Sequence, residues 1–185
     1  AEQLGVTRKR LEVNGCEEVQ LLVGSAHNLP LVDDSVDIVF GMAILHHLDL
    51  EIASREVMRV LKKGGRAIFK EPTRNSKLID QLRQLFPQRA DVSPFERPLT
   101  VKEMREFAAT CHYRARTFQL LFWTLASLVP HRSDKVLRVA AKIDADLLRR
   151  FPVLAHYGTV TVFEMIKVSL LIATIVPGFL DSPSC

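Results

Sequence analysis

The sequence predicts an α/β fold built around parallel strands, and three observations carry that expectation. Val36-Asp37-Ile38-Val39-Phe40 and Arg66-Ala67-Ile68-Phe69-Lys70 are short runs rich in β-branched and aromatic residues, the pattern of strands buried in a sheet. Between them the apolar period becomes helical, with Ala53, Val57, Val60 and Leu61 at i, i+4, i+7 and i+8. Asp49 is placed to cap that helix, and Lys62-Lys63 before Gly64 is placed to end it. A strand, a helix and a strand in this order form a βαβ unit, whose right-handed crossover makes the two strands parallel.

The other elements follow in chain order. Glu2 to Asn14 reads as the end of a helix, with Leu4 and Leu11 on one side and Gly15 at the stop position. Val19-Gln20-Leu21-Leu22-Val23, closed by Gly24, reads as a further buried strand, and Asp33-Asp34-Ser35 as a turn. A helical pattern from Ser76 to Phe86 precedes a polar stretch holding Pro87, Pro94 and Pro98. Thr100-Val101-Lys102-Glu103 is a capping box that opens a helix with Val101, Met104, Phe107, Ala108 and Cys111 as its apolar stripe. Tyr113 to Leu120 fits a strand, Ser133 to Phe151 a helix with Val136, Ala140, Ile143, Leu147 and Phe151 on one face, and Thr159 to Val168 a last strand.

Composition narrows the class. With 185 residues, 48% hydrophobic and 25% charged, the chain is one globular domain's worth, not a disordered chain, a collagen or a disulfide scaffold. Its 8 glycines form neither a G-x-G-x-x-G nor a G-x-x-x-x-G-K-[ST] phosphate cradle. The charge of +4 comes from scattered basic pieces without interleaved aromatics, which argues against a nucleic-acid partner. Cys16, Cys111 and Cys185 contain no C-x-x-C pair, so a disulfide framework or zinc finger is not expected and a reducing, cytoplasmic setting is. Cys111-His112 and His131 have no partner at ligand spacing, so no metal is expected. Val168 to Val176 is too short to span a bilayer, which takes about 20 residues.

Five short motifs then carry a resemblance. In order they are Val-Gly-Ser-Ala-His-Asn-Leu-Pro (23 to 30), Val-Asp-Ile-Val (36 to 39), Leu-His-His-Leu (45 to 48), Arg-Val-Leu-Lys-Lys-Gly-Gly-Arg (59 to 66) and Glu71-Pro72. From Val19 to Pro72 the chain resembles the small-molecule branch of the class I S-adenosylmethionine-dependent methyltransferases. The resemblance implies a Rossmann-like sheet with helices on both faces. It also implies that this chain lacks the first strands and the Gly-rich cofactor loop, as an N-terminally truncated member would. The expected division is a partial methyltransferase domain over 1–168 and an apolar tail over 169–185, a candidate surface for self-association.

By the same resemblance, S-adenosylmethionine is the expected cofactor and a small molecule the methyl acceptor. Ser25 and Ala26 would hold the adenine, with Ser25 standing where the family usually has a charged Asp. Gly41 and Met42 would lie by the methionine part. His46 is a candidate general base, or with His47 a residue that positions the helix starting near Asp49. Glu71 could reach the site or merely end its strand. Phe118, Leu121, Phe122, Trp123 and Leu125 are candidates for an apolar acceptor pocket or for core. The competing expectation is a non-catalytic remnant or partner-binding protein of the same fold.

Overall fold

Alternation along Leu61 to Pro72 sets the core: Leu61, Gly65, Ala67, Phe69 and Glu71 are all buried on one face of a single long strand. The computed structural model describes residues 2–16, 18–74, 76, 97–120 and 134–168. These form helix α1 (Glu2–Val13), strand β1 (Val36–Met42), helix α2 (Leu50–Val60), strand β2 (Leu61–Pro72), helix α3 (Val101–Phe107), strand β3 (Cys111–Phe118), helix α4 (Asp134–Arg150) and strand β4 (Val160–Lys167). Short 3-10 turns at Leu45–His47 and Pro152–Tyr157 link them.

The sheet has the order β1-β2-β4-β3. β1 and β2 are parallel, as the βαβ reading expects, whereas β4 is antiparallel to both β2 and β3. Phe69, Phe163 and Met165 project from β2 and β4 onto Ala53 and Val57 of α2 and Met104 and Phe107 of α3. The Phe69 ring stands edge-on to Phe107 and tilted to Phe163, each at 5.4 Å. Burying each such side chain contributes about 1.5–3 kcal/mol. On β4 and β3, Thr161 joins the hydroxyls of Thr73 (2.7 Å) and Thr117 (3.1 Å), so the buried hydroxyls satisfy one another.

Several expectations change. Val19 to Val23 is not a strand: it pairs with none of the described strands, and Val19, Leu22 and Val23 are exposed. A strand exists only through its neighbour's hydrogen bonds, and β1 pairs on one side only, with β2. α2 does not run on to Gly64. It ends at Val60, and Lys62 to Gly65 form a bulge, where the β1–β2 register slips between Val36↔Leu61 and Ile38↔Arg66. Gly64 takes φ +76° there. Helix α4 is present, but of its expected apolar face Ala140 is buried while Val136, Ile143 and Phe151 stay largely exposed. The expected 76–86 helix lies outside the described residues except for Ser76, and the 169–185 tail wholly so.

Candidate active site at the carboxyl ends of β1 and β2

β1 leaves the sheet through Ala43, a non-glycine residue at φ +52° whose N–H donates to the Lys70 carbonyl (2.8 Å). That left-handed step turns the next two N–H groups inward. Both Ile44 and Leu45 donate to Oε1 of Glu71, each at 2.9 Å. Glu71 is fully buried, one residue past the Met42↔Lys70 pair, so its carboxylate sits beneath the turn that follows β1. Its other oxygen, Oε2, meets Nδ1 of His46 at 2.8 Å. A carboxyl group with no exposure must be matched by partners, and the two backbone N–H groups and the His46 ring supply them.

His46 is itself buried, 4% of its side chain being exposed, and its ring packs 4.1 Å from that of His47. Both imidazoles line a cleft of about 280 Å³ together with Leu45, Leu48, Leu50, Leu99 and Arg97. Arg97 is paired with Glu103 of α3, whose carboxyl this guanidinium and the Thr100 N–H hold down to about 2 against the cost of burial. The Thr100–Glu103 capping box is formed in full, as its sequence expects.

The loop holding Ser25 and Ala26 is drawn to the same end of β1. Asp49 caps α2 through the N–H groups of Glu51 and Ile52, and its own N–H donates to Nε2 of His27 (3.0 Å). The Ser25 hydroxyl accepts from the His27 N–H (3.2 Å), and Asn28 closes a turn onto the Ser25 carbonyl (3.0 Å). Further along, Glu56 of α2 accepts from the Leu29 N–H (2.6 Å). Arg59 donates to Glu56, to Asp33 and to the carbonyls of Leu29 and Leu31. Hydrogen bonding from Arg59, aided by Leu29, lowers the Glu56 carboxyl to about 2 in spite of its burial, and Glu56 in turn raises Arg59.

Of the residues the sequence singled out, Gly41 is buried and Met42 exposed. A Cβ on Gly41 would stand 2.5 Å from Cδ1 of Phe69, so this glycine lets the core ring pack against β1. Ser25 is exposed and Ala26 half-buried. Phe118 is 38% exposed beneath the Arg116 guanidinium, and Leu121, Phe122, Trp123 and Leu125 lie outside the described residues. Sequence reasoning missed His27, Glu56 and Arg59 as the residues that fix the loop. The Glu56–Arg59 spacing of i,i+3 was a visible signal of a helix-surface pair, but not of what that pair grips. Among the described residues no three His, Cys, Asp or Glu side chains converge as metal ligands, and no helix is long and apolar enough to cross a membrane.

Fold and site together define an α/β protein with a cleft outside the carboxyl ends of its parallel strands, the place where such sheets bind ligands. A family model described as a methyltransferase domain matches residues 1–69. It is 41% identical over 69 residues to the uncharacterized methyltransferase YcgJ of Bacillus subtilis, a match covering 37% of this chain and 27% of that one. Over 72 residues it is 40% identical to the ubiquinone/menaquinone biosynthesis C-methyltransferase UbiE of Rubrivivax gelatinosus, covering 38% of this chain and 27% of the relative. Each of these matches thus spans little more than a quarter of the relative's length. The YcgJ crystal structure superposes with a TM-score of 0.55 at 21% identity, over 91% of this chain and 79% of that one. Geranyl diphosphate C-methyltransferase from Streptomyces coelicolor A3(2), solved with S-adenosyl-L-homocysteine, does so with a TM-score of 0.58 at 16% identity, over 91% and 61%.

The match to a methyltransferase domain implies S-adenosylmethionine. The Ala26 N–H donates to none of the described residues, and the Ser25 hydroxyl keeps a proton and a lone pair beyond the bond it accepts from His27.

Proposed function

We propose that the chain transfers the methyl group of S-adenosylmethionine to a small-molecule acceptor in the cytoplasm. Ser25 and Ala26 hold the adenine, Gly41 and Met42 lie beside the methionine part, and His46 is the general base. The observation that carries this reading is the buried contact of His46 with Glu71 at the lip of a leucine-lined cleft. A histidine held this way is poised to take a proton as the acceptor's atom attacks the methyl carbon. The cleft's apolar wall and its two imidazoles suit a largely apolar acceptor.

Calorimetric titration of the 185-residue chain with S-adenosylmethionine tests the cofactor step. Saturable heat is expected, tightening in Ser25→Asp, which restores a charged acceptor for the adenine amine. A folded chain that gives no heat at millimolar ligand would leave the competing reading, a non-catalytic protein of this fold.

A further inference from the structure

A second cleft, of about 390 Å³, opens at the same end of the sheet as the first. Its walls include Arg74, just past β2, Thr100 and Lys102 at the start of α3, Thr117 on β3, and His156 in the 3-10 turn before β4. Backbone bonds draw these elements together. The Leu99 N–H donates to the Pro72 carbonyl (3.0 Å), that of Arg74 to Leu99 (2.9 Å) and that of Thr73 to Thr159 (2.8 Å). Three of the described wall residues are basic and none is acidic. Among the described residues no carboxylate or carbonyl pairs with the Arg74 guanidinium. Lys102 stands 3.6 Å from Glu106, beyond hydrogen-bond length, so its ammonium protons stay available. Glu103, the other carboxylate of α3, is taken up by Arg97 and Thr100.

Beneath the cleft a chain of hydroxyls ends on one of its walls. Thr73 donates to Thr161 at 2.7 Å, and Thr161 lies 3.1 Å from Thr117. Thr161 is fully buried and already accepts from Thr73, so its own proton goes to Thr117. The Thr117 proton is then left over, on a half-buried residue that lines the cleft. A guanidinium, an ammonium, an imidazole and a hydroxyl around one concavity match the several oxygens and the double charge of a phosphate group. We infer that this cleft binds the phosphate of a phosphorylated small molecule. Leu99 lines the first cleft and Thr100, the next residue, lines the second. The phosphate therefore has two sources to separate: a ligand whose apolar body lies among Leu45, Leu48, Leu50 and Leu99, or a compact molecule held in the second cleft alone. Only the first source makes the ligand the methyl acceptor, and that case rests on the methyl-transfer reading above. The phosphate site does not.

The test titrates the full chain, labelled with nitrogen-15, with inorganic phosphate, the ionic strength being held constant with sodium chloride. Saturable shifts are expected at the His156 ring, the Arg74 Nε–H and the Lys102 and Thr117 amides, and none from chloride alone. Arg74→Gln should weaken binding roughly tenfold and Lys102→Gln severalfold. Both side chains are exposed, so these variants should keep the fold. Lys63→Gln, at the other end of β2, should leave the midpoint where it was. Shifts that never saturate overturn the inference. So does an unchanged midpoint in Arg74→Gln, or a loss in Lys63→Gln as large as in Arg74→Gln, which is general attraction of an anion to a basic chain.

Hexyl phosphate then separates the two sources. Binding at least about tenfold tighter than inorganic phosphate, with the Leu48 and Leu99 methyl signals shifting as well, assigns the phosphate to a ligand that spans both clefts, since each buried methylene adds about 0.8 kcal/mol. Equal affinity, with shifts confined to the second cleft, assigns it to a separate molecule, and either result supports the site. A chain that saturates with phosphate but gives no heat with S-adenosylmethionine loses the methyl-transfer reading and keeps this site. Heat with S-adenosylmethionine and no saturation with phosphate overturns this site alone.

Discussion

Lys167, the last residue of β4, donates its Nζ to Oδ1 of Asp34 at 2.7 Å, and so joins the end of the last described strand to the turn that precedes the first. The same ammonium donates to the carbonyls of Met58 and Leu61, also at 2.7 Å. The Asp34 and Ser35 N–H groups take those of Arg59 and Val60. The carbonyls that a helix leaves without partners at its C-terminus are therefore satisfied from outside α2, and the chain is able to pass from Val60 straight into β2.

Lys167→Met is accordingly expected to destabilise the fold by about 1–3 kcal/mol, since it removes a charged donor with three partners. Urea denaturation followed by circular dichroism measures this. Asp34 also carries a pH dependence. The hydrogen bond from Lys167, with charges on Lys167 and Lys63, holds its carboxyl below the usual range. A lowered carboxyl contributes stability above its unfolded value, near 3.9, which is lost as pH falls through the folded one. Lys167→Met removes most of that acid sensitivity, and an unchanged acid limb would contradict the account.

Gly41→Ala is expected to cost about 1–3 kcal/mol by overpacking, because the new methyl would meet the Phe69 ring at 2.5 Å and Cγ2 of Ile44 at 3.0 Å. Combining it with Phe69→Leu should recover part of that loss, whereas two independent sites would simply add. Thermal melts of the two single variants and the double variant decide. Additive losses would mean that Gly41 is needed for something other than the ring.

What the sequence made legible was local. The α2 period with its Asp49 cap, the Thr100–Glu103 box and the runs at β1, β2 and β4 are each written within a dozen residues, and each formed. The parallel pairing of β1 with β2 followed from those elements by topology alone. What it hid depended on distant partners. Glu71 binds Ile44, Leu45 and His46 from 25 to 27 residues away, and nothing in Glu-Pro says that the carboxylate turns inward. Val19 to Val23 has the composition of a strand, but pairing is decided by a neighbour and not by propensity. The exposed stripe of α4 shows the same limit, since an apolar face states a need for a partner without naming one.

Ala43→Gly should stabilise the chain, by up to about 1 kcal/mol. At φ +52° an alanine carries a left-handed penalty of roughly 1–2 kcal/mol, and the greater freedom of glycine in the unfolded chain offsets part of the relief. The His46–Glu71 contact hangs from this turn and should be kept while the urea midpoint rises. A fall in the midpoint would show that the Ala43 methyl does packing work that outweighs the strain.

Arg59 is the residue on which the Ser25-to-Asp33 loop most depends. Its guanidinium reaches Glu56, Asp33 and two carbonyls at once, a fork that an ammonium cannot reproduce. Arg59→Lys is expected to lower the denaturation midpoint and to speed amide exchange at Leu29, whose N–H is held by Glu56. The pair also sets an acid limit. Glu56 is lowered to about 2, chiefly by the Arg59 hydrogen bonds. Its stabilising contribution is complete above the unfolded glutamate value, near 4.3, and fades as pH falls toward 2. In Arg59→Lys the loss should start at the same pH but be smaller and complete at higher pH, because the weaker partner holds the carboxyl less far down. Denaturation midpoints collected from pH 6 to pH 2 would show the two curves converging at the acid end. Curves that stay parallel throughout would mean that Arg59 stabilises the loop through its carbonyl bonds alone.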